Sequence, residues 1–291
     1  MTPRPIFNLP LPDGRSLRLG DRTLVMGILN VTPDSFADGG LYADPGRAID
    51  QALEMERCGA DIIDVGGEST RPGADALPAD EELRRVLPVV EGLRGQLRVP
   101  LSIDTYKAGV AEAALARGAA IVNDISALEY DPALPAVVAR HGAAVVLMHT
   151  RGRSCDMYGQ ATYADVVAEV TAELSVRVAR ARQAGIPDVS IVLDPGIGFA
   201  KRAGHSAALL ARLERLHALG RPLLVGPSRK SFVQQAIGER PPARRDWATA
   251  AAVSACVFAG AHIVRVHAVE AMADVVRAAD LLRRAAGLDA G

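Results

Sequence analysis

Eight short apolar runs recur along this chain, each ending on a polar residue and leading toward a segment with helical spacing. The runs are Leu24–Leu29, Ile62–Val65, Leu101–Ile103, Ala120–Val122, Ala144–Met148, Ile191–Leu193, Leu223–Val225 and Ile263–Val266. They are continuous rather than alternating, as parallel strands buried on both faces require. Between them, Val167, Val170, Leu174, Val178 and Ala181 step by three or four residues, as do Met272, Val276, Ala279 and Leu282. Gly59, Gly118, Gly142, Gly185, Gly220 and Gly260 stand where helices should stop. Strand and helix alternating eight times describe an α/β protein, a (β/α)8 TIM barrel. Such a barrel needs about 250 residues, so a chain of 291 holds one barrel and a short extension. Residues 6–19 read as a β-hairpin about Pro12-Asp13-Gly14. The expected division is an N-terminal extension over 1–21 and a single barrel over 22–287. A doubly wound open sheet is the competing fold, but no GxGxxG follows the first strand.

Composition narrows the function by exclusion. With 33 Lys+Arg against 34 Asp+Glu, the chain has no basic footprint for nucleic acid and no polybasic membrane patch. Any anion site is therefore local. No apolar run is long enough to span a bilayer, and Met1–Pro5 lacks the apolar core of a signal peptide. Cys58, Cys155 and Cys256 are scattered and read as reduced thiols, so a cytoplasmic location is expected. The Asn30-Val31-Thr32 triplet is then a chance match to a glycosylation acceptor.

In a barrel of this type, chemistry gathers at the C-terminal strand ends. The residues there are Asn30, Asp64, Asp104, Asn123, His149, Asp194, Ser228 and His267. A polar group ending every apolar run is costly unless satisfied or solvated. Helix capping could explain Asp104 or Ser228, but not all eight. The segment MGILNVTPDSFADGG (26–40) leaves the first strand as a long polar loop suited to covering a site. DVGGESTRPGA (64–74) offers a hydroxyl, a guanidinium and a rigid ring at Thr70-Arg71-Pro72, and LDPGIGFAK (193–201) sets Phe199 near Asp194. GPSRKS (226–231) lacks the spacing of a phosphate loop. On the eighth strand, RVH (265–267) sends Arg265 and His267 to one side, where two cationic or donor groups suit a phosphate.

NVTPDSFADGG, GGESTRPGA, SIDT, NDI, LDPGIGF, SRKSF and RVH, in this order from about residue 22 to 285, resemble the dihydropteroate synthase family. The resemblance implies joining of a pterin methyl diphosphate to p-aminobenzoate with release of pyrophosphate, in folate synthesis. It implies Asn30 as a ligand of Mg2+, and Asp104, Asn123 and Asp194 as partners of the pterin edge. Lys230 would cap the pterin, while Thr70, Arg265 and His267 would hold the diphosphate. Phe199, Pro72 and Ser231 would form much of the p-aminobenzoate pocket, with Arg71 a further candidate. It also implies a homodimer and a sulfonamide target; the apolar seventh helix (248–259) is a candidate face for the dimer, though its small residues equally suit packing onto the barrel. The chemistry expected is a dissociative substitution with Asp104, Lys230, Arg265 and His267 as the catalytic set.

The chain departs from the family pattern at Ala268, where Asp is usual, at Ala200, where Gly is common, at His149-Thr150-Arg151-Gly152, and at Trp247-Ala248. Two rivals share the pterin slot: a methyltetrahydrofolate corrinoid methyltransferase and a pterin-binding paralogue without synthase activity. The first leaves Arg265 with His267, SRKS and NVTPDSF unexplained. Ala268 is the best support for the second.

Overall fold

The computed structural model describes residues 3–32, 44–70 and 73–288. Phe7–Pro10 (β1) and Ser16–Leu19 (β2) form a separate antiparallel pair, with Phe7 opposite Leu19. Eight parallel strands follow: Leu24–Asn30 (β3), Ile62–Gly66 (β4), Leu101–Asp104 (β5), Ile121–Asp124 (β6), Ala144–Met148 (β7), Ile191–Asp194 (β8), Leu224–Val225 (β9) and Ile263–Val266 (β10). Their order is β8-β7-β6-β5-β4-β3-β10-β9. A parallel bridge between Leu193 and Leu223 joins the two ends, so the sheet closes into a barrel. Each strand falls within a residue or two of its expected run. An open doubly wound sheet is thereby excluded.

The outer layer consists of Pro45–Arg57 (α1), Ala79–Leu93 (α2), Ala108–Leu115 (α3), Leu134–His141 (α4), Val166–Gln183 (α5), Ala203–Ala211 (α6), the short Gln234–Ile237 (α7), Asp246–Phe258 (α8) and Val269–Ala285 (α9). Local chemistry sets several boundaries. Asp165 caps α5 by accepting from the Val167 and Ala168 N–H groups, and Asp44 with Pro45 opens α1. Gly142 ends α4 in the left-handed conformation, and the other five expected stop glycines also have positive φ. None of the described helices is long and apolar enough to cross a membrane.

Alternation along the strands divides two cores. Val25, Leu29, Ile63, Val65, Val264 and Val266 face the helices. Met26, Ile62, Ile121, Val146, Val192, Leu224 and Ile263 point inward, where they pack on Leu9, Leu11 and Leu19 of the hairpin. These inward residues lie mostly at strand starts, so the hairpin plugs the N-terminal end of the barrel. Arg4, buried beside it, pairs with Asp280 of α9 at 2.8 Å and bonds the Ala261 carbonyl. With the floor filled by hydrocarbon, the inward positions near the strand ends are left for polar groups.

Candidate active site

Those upper positions form one charged slot. Gly66 of β4 is in register with Asp104 of β5, and Asp104 with Asn123 of β6. The cleft above them is lined by Ile28, Thr70, Asp104, Asn123, Ile125, Met148, Asp194, Ile197, Phe199, Gly226, Ser228, Lys230, Arg265 and His267. Eight of the expected site residues are therefore brought together: Thr70, Asp104, Asn123, Asp194, Phe199, Lys230, Arg265 and His267. Asp104 and Ser228 cap none of the described helices, which removes the capping explanation for their position.

Asn30 is half-buried at the end of β3 and does not line the described cleft. It lies two residues beyond Ile28, hence on the same side of the strand. Ser231 is exposed at the head of a 3-10 turn and also does not line the cleft. Arg71, Pro72 and most of the loop after β3 lie outside the described residues.

Arg265 lines the cleft and is held from below by two carboxylates. Its Nε donates to Asp64 Oδ2 and one terminal nitrogen donates to Asp104 Oδ2, each at 2.6 Å. Asn123 Nδ2 also donates to Asp64 Oδ2, at 2.9 Å. Asp64 is wholly buried, and its Oδ1 has no hydrogen-bond partner among the described residues. From the sequence it was only one of several strand-end polar residues; here it anchors both Arg265 and Asn123. The available signal was a carboxylate placed inside the run IIDVG, where desolvation is tolerable only with partners. Ile28, Ile125, Met148 and Ile197, the apolar walls of the cleft, carried no signal distinguishing them from core.

The slot perturbs its own titratable groups. Burial pushes the Asp104 carboxyl up to about 7 despite the Arg265 guanidinium, with Asp64, Glu82 and Asp124 adding to the rise. Burial likewise raises Asp194, whose Oδ1 accepts from the Gly196 N–H at 2.7 Å. Burial lowers the Lys230 ammonium to about 8, although Asp194 and Asp104 favour its charge. Lys230 Nζ donates to the Ile197 carbonyl at 2.9 Å and sits 4.0 Å from the Phe199 ring centre. His267 is oriented by Ser228, whose Oγ is 2.9 Å from Nδ1 and accepts from the His267 backbone N–H. Desolvated acids and a cation of this kind in a cleft mark a functional site.

The sequence departures fall outside this slot. Ala268 opens α9 with no side-chain cap, so its methyl group stands where a carboxylate could accept from the first-turn N–H groups. Restoring it, Ala268→Asp, should stabilise the fold by about 0.5–2 kcal/mol in a denaturant titration. Arg151 pairs with Glu173 and Glu169 and stacks on Tyr163 at 4.0 Å, away from the cleft. Trp247 is 91% exposed on α8.

A profile of the family described as "Pterin binding enzyme" matches residues 26–267. The chain is 48% identical to a dihydropteroate synthase of Synechocystis, over 96% of both chains. The dihydropteroate synthase of Xanthomonas albilineans, solved with 4-aminobenzoic acid, shares 43% identity at a TM-score of 0.87, covering 97% of this chain and 99% of that one. The Yersinia pestis dihydropteroate synthase solved as a sulfonamide complex shares 40% identity at a TM-score of 0.90, covering 96% and 100%.

Proposed function

The chain belongs to the dihydropteroate synthase family of pterin-binding enzymes, and we propose that the slot at the barrel mouth divides that family's reaction among its residues as follows. The enzyme is a transferase that joins (7,8-dihydropterin-6-yl)methyl diphosphate to p-aminobenzoate, giving 7,8-dihydropteroate and pyrophosphate. The single observation that carries the assignment of the slot is the convergence of Asp104, Asn123, Asp194 and Lys230 on one cleft with His267 at its rim.

The pterin enters edge first. Its 2-amino-4-oxo system offers N–H donors to Asp104 and Asp194 and takes donors from Asn123. Lys230 covers one side of the slot, and Asp64 keeps Asn123 and Arg265 in place. The bond from the methylene carbon to the diphosphate oxygen breaks, and its electron pair leaves on pyrophosphate. His267 and Thr70 hold that leaving group, and Arg265 contributes positive charge from within the slot. The carboxylates favour the pterin cation left behind. The arylamine lone pair then forms the C–N bond and the nitrogen loses a proton to solvent. Phe199 and residues of the loops after β4 and β9, among them Arg71, Pro72 and Ser231, receive the arylamine. No covalent nucleophile is required.

Mg2+ fits this arrangement without a protein cage. No cluster of three or more His, Cys, Asp or Glu that could hold a metal occurs among the described residues. A hard ion taken up with substrate phosphates needs one protein oxygen, the remaining ligands being phosphate and water. Asn30, on the cleft side of β3, would supply that oxygen. When bound, the ion neutralises charge on the departing diphosphate.

The exposed Trp247, Ala251 and Ala255 share one face of α8, and the adjacent α9 carries the exposed Leu281 and Leu282. This supports a homodimer through that face. A cytoplasmic location accords with three free thiols. Sulfonamides, as arylamine mimics, would compete for the Phe199 pocket.

Incubating the protein with both substrates and Mg2+ and assaying for 7,8-dihydropteroate tests the assignment; tight pterin binding without product would leave the inactive-paralogue reading standing. The slot also predicts a pH dependence. Asp104 must be ionised to accept from the pterin, and its raised pKa means that it takes up a proton as pH falls through about 7. Calorimetric affinity for a phosphate-free pterin should therefore be full above that pH and decline below it. Asp104→Asn should flatten the profile.

A further inference from the structure

Behind the cleft lies a second buried charge cluster that the reaction as described does not use. Lys201 is 2% exposed. Its Nζ donates to the Phe199 carbonyl at 2.9 Å and the His149 carbonyl at 3.2 Å, and lies 2.9 Å from His149 Nδ1. An ammonium has three protons, and three acceptors surround it. His149 Nε2 is 3.0 Å from Glu173 Oε2. With Nε2–H held by that carboxylate, Nδ1 presents its lone pair to Lys201. Burial lowers His149 to about 4, which keeps the ring neutral as this arrangement requires. Burial also lowers Lys201, to about 7, while Asp194 and Glu173 favour its charge.

These bonds tie the tip of β7 to the loop after β8, and that loop needs tying. Gly196 has φ +68, and a Cβ there would lie 1.9 Å from the His149 carbonyl oxygen. The two tips are thus in backbone contact. Ala200, between Phe199 and Lys201, has φ +48. For a residue with a Cβ this left-handed conformation costs about 1 kcal/mol or more and persists only when its surroundings hold it. The same loop presents Phe199 to the cleft and offers the Ile197 carbonyl to Lys230.

We propose that Lys201 is a positioning residue for the arylamine half of the reaction: by pinning the Phe199 and His149 carbonyls together it fixes the Phe199 ring where p-aminobenzoate must dock. The proposal rests on the synthase assignment, which wild-type turnover tests independently. Burying an ammonium is expensive, and a loop could be closed far more cheaply by a hydrocarbon side chain. What the ammonium adds is three directional bonds to two loops. Of the pterin partners, Asp104 and Asn123 stand on β5 and β6, outside this cluster; Asp194, at the end of β8, borders it, with its backbone carbonyl accepting from the His149 N–H at 2.8 Å and its Oδ1 held by the Gly196 N–H.

The test is steady-state kinetics of Lys201→Met with both substrates and Mg2+, alongside calorimetric pterin binding. The expected result is a rise of about tenfold or more in KM for p-aminobenzoate, the equivalent of a lost hydrogen bond to a charged group, with pterin affinity changed less than about threefold. An unchanged p-aminobenzoate KM, or equal losses for both substrates, would overturn the proposal, the second result marking a merely structural lysine. Should Lys201→Met fail to fold, Glu173→Leu decides. This site is partly exposed, and the variant frees the His149 ring. It should raise the same KM by about threefold with pterin affinity intact; no rise would count against the proposal.

Discussion

Replacing Asp104 by Asn should lower kcat by about 10²–10³, well beyond any loss in pterin affinity. The substitution keeps size and hydrogen-bonding capacity but removes the negative charge that faces the pterin once diphosphate departs. An interaction made mainly in the transition state appears in kcat, whereas uniform binding appears only in KM. The geometry makes the charge available: Asp104 sits in a slot where water is scarce, and only one of its oxygens is taken by Arg265. Comparison of kcat with the separately measured pterin affinity checks the prediction. If turnover falls no further than affinity does, Asp104 is a binding group and the cation-stabilising role is wrong.

Arg265→Met should be the most damaging single change in the slot, because it acts on stability and activity together. Asp64 is wholly buried and, among the described residues, would keep only the Asn123 amide as a partner. Breaking a buried ion pair from one side costs about 3–5 kcal/mol. Denaturant unfolding should show a loss of that order, and turnover should fall by about 10²-fold or more as the slot loses its cation. Arg265→Lys should recover part of the stability but little of the activity, since an ammonium cannot bridge two carboxylates as a planar fork does. A stable, active Arg265→Met protein would mean that the bridge is incidental.

Much of this was visible in the residues, for identifiable reasons. A strand buried on both faces must be continuously apolar, so the runs at 24–29, 62–65 and 263–266 mark their own strands. The short β9 was legible only by its place in the rhythm. Positions followed from alternation: Arg265 and His267 do face the same way, and both reach the cleft. Where a long side chain then goes is a different matter. Arg265 turns down to Asp64 and Asp104 because two desolvated carboxylates attract it more strongly than open cleft, and that competition involves residues up to 201 positions away. Asp64 was hidden for the same reason, since its role exists only through Arg265 and Asn123. Lys201 closed a motif but gave no hint of facing His149. Ala268, which invited concern for the site, belongs to the start of α9.

The central claim is that this slot makes pyrophosphate leave a pterin methylene and hands the carbon to an arylamine. Steady-state pyrophosphate release from (7,8-dihydropterin-6-yl)methyl diphosphate, with Mg2+ and increasing p-aminobenzoate, measures that step directly. Release should rise to saturation with p-aminobenzoate and collapse in Asp104→Asn. A wild-type protein that binds the pterin tightly yet releases no pyrophosphate at any p-aminobenzoate concentration would contradict the central claim.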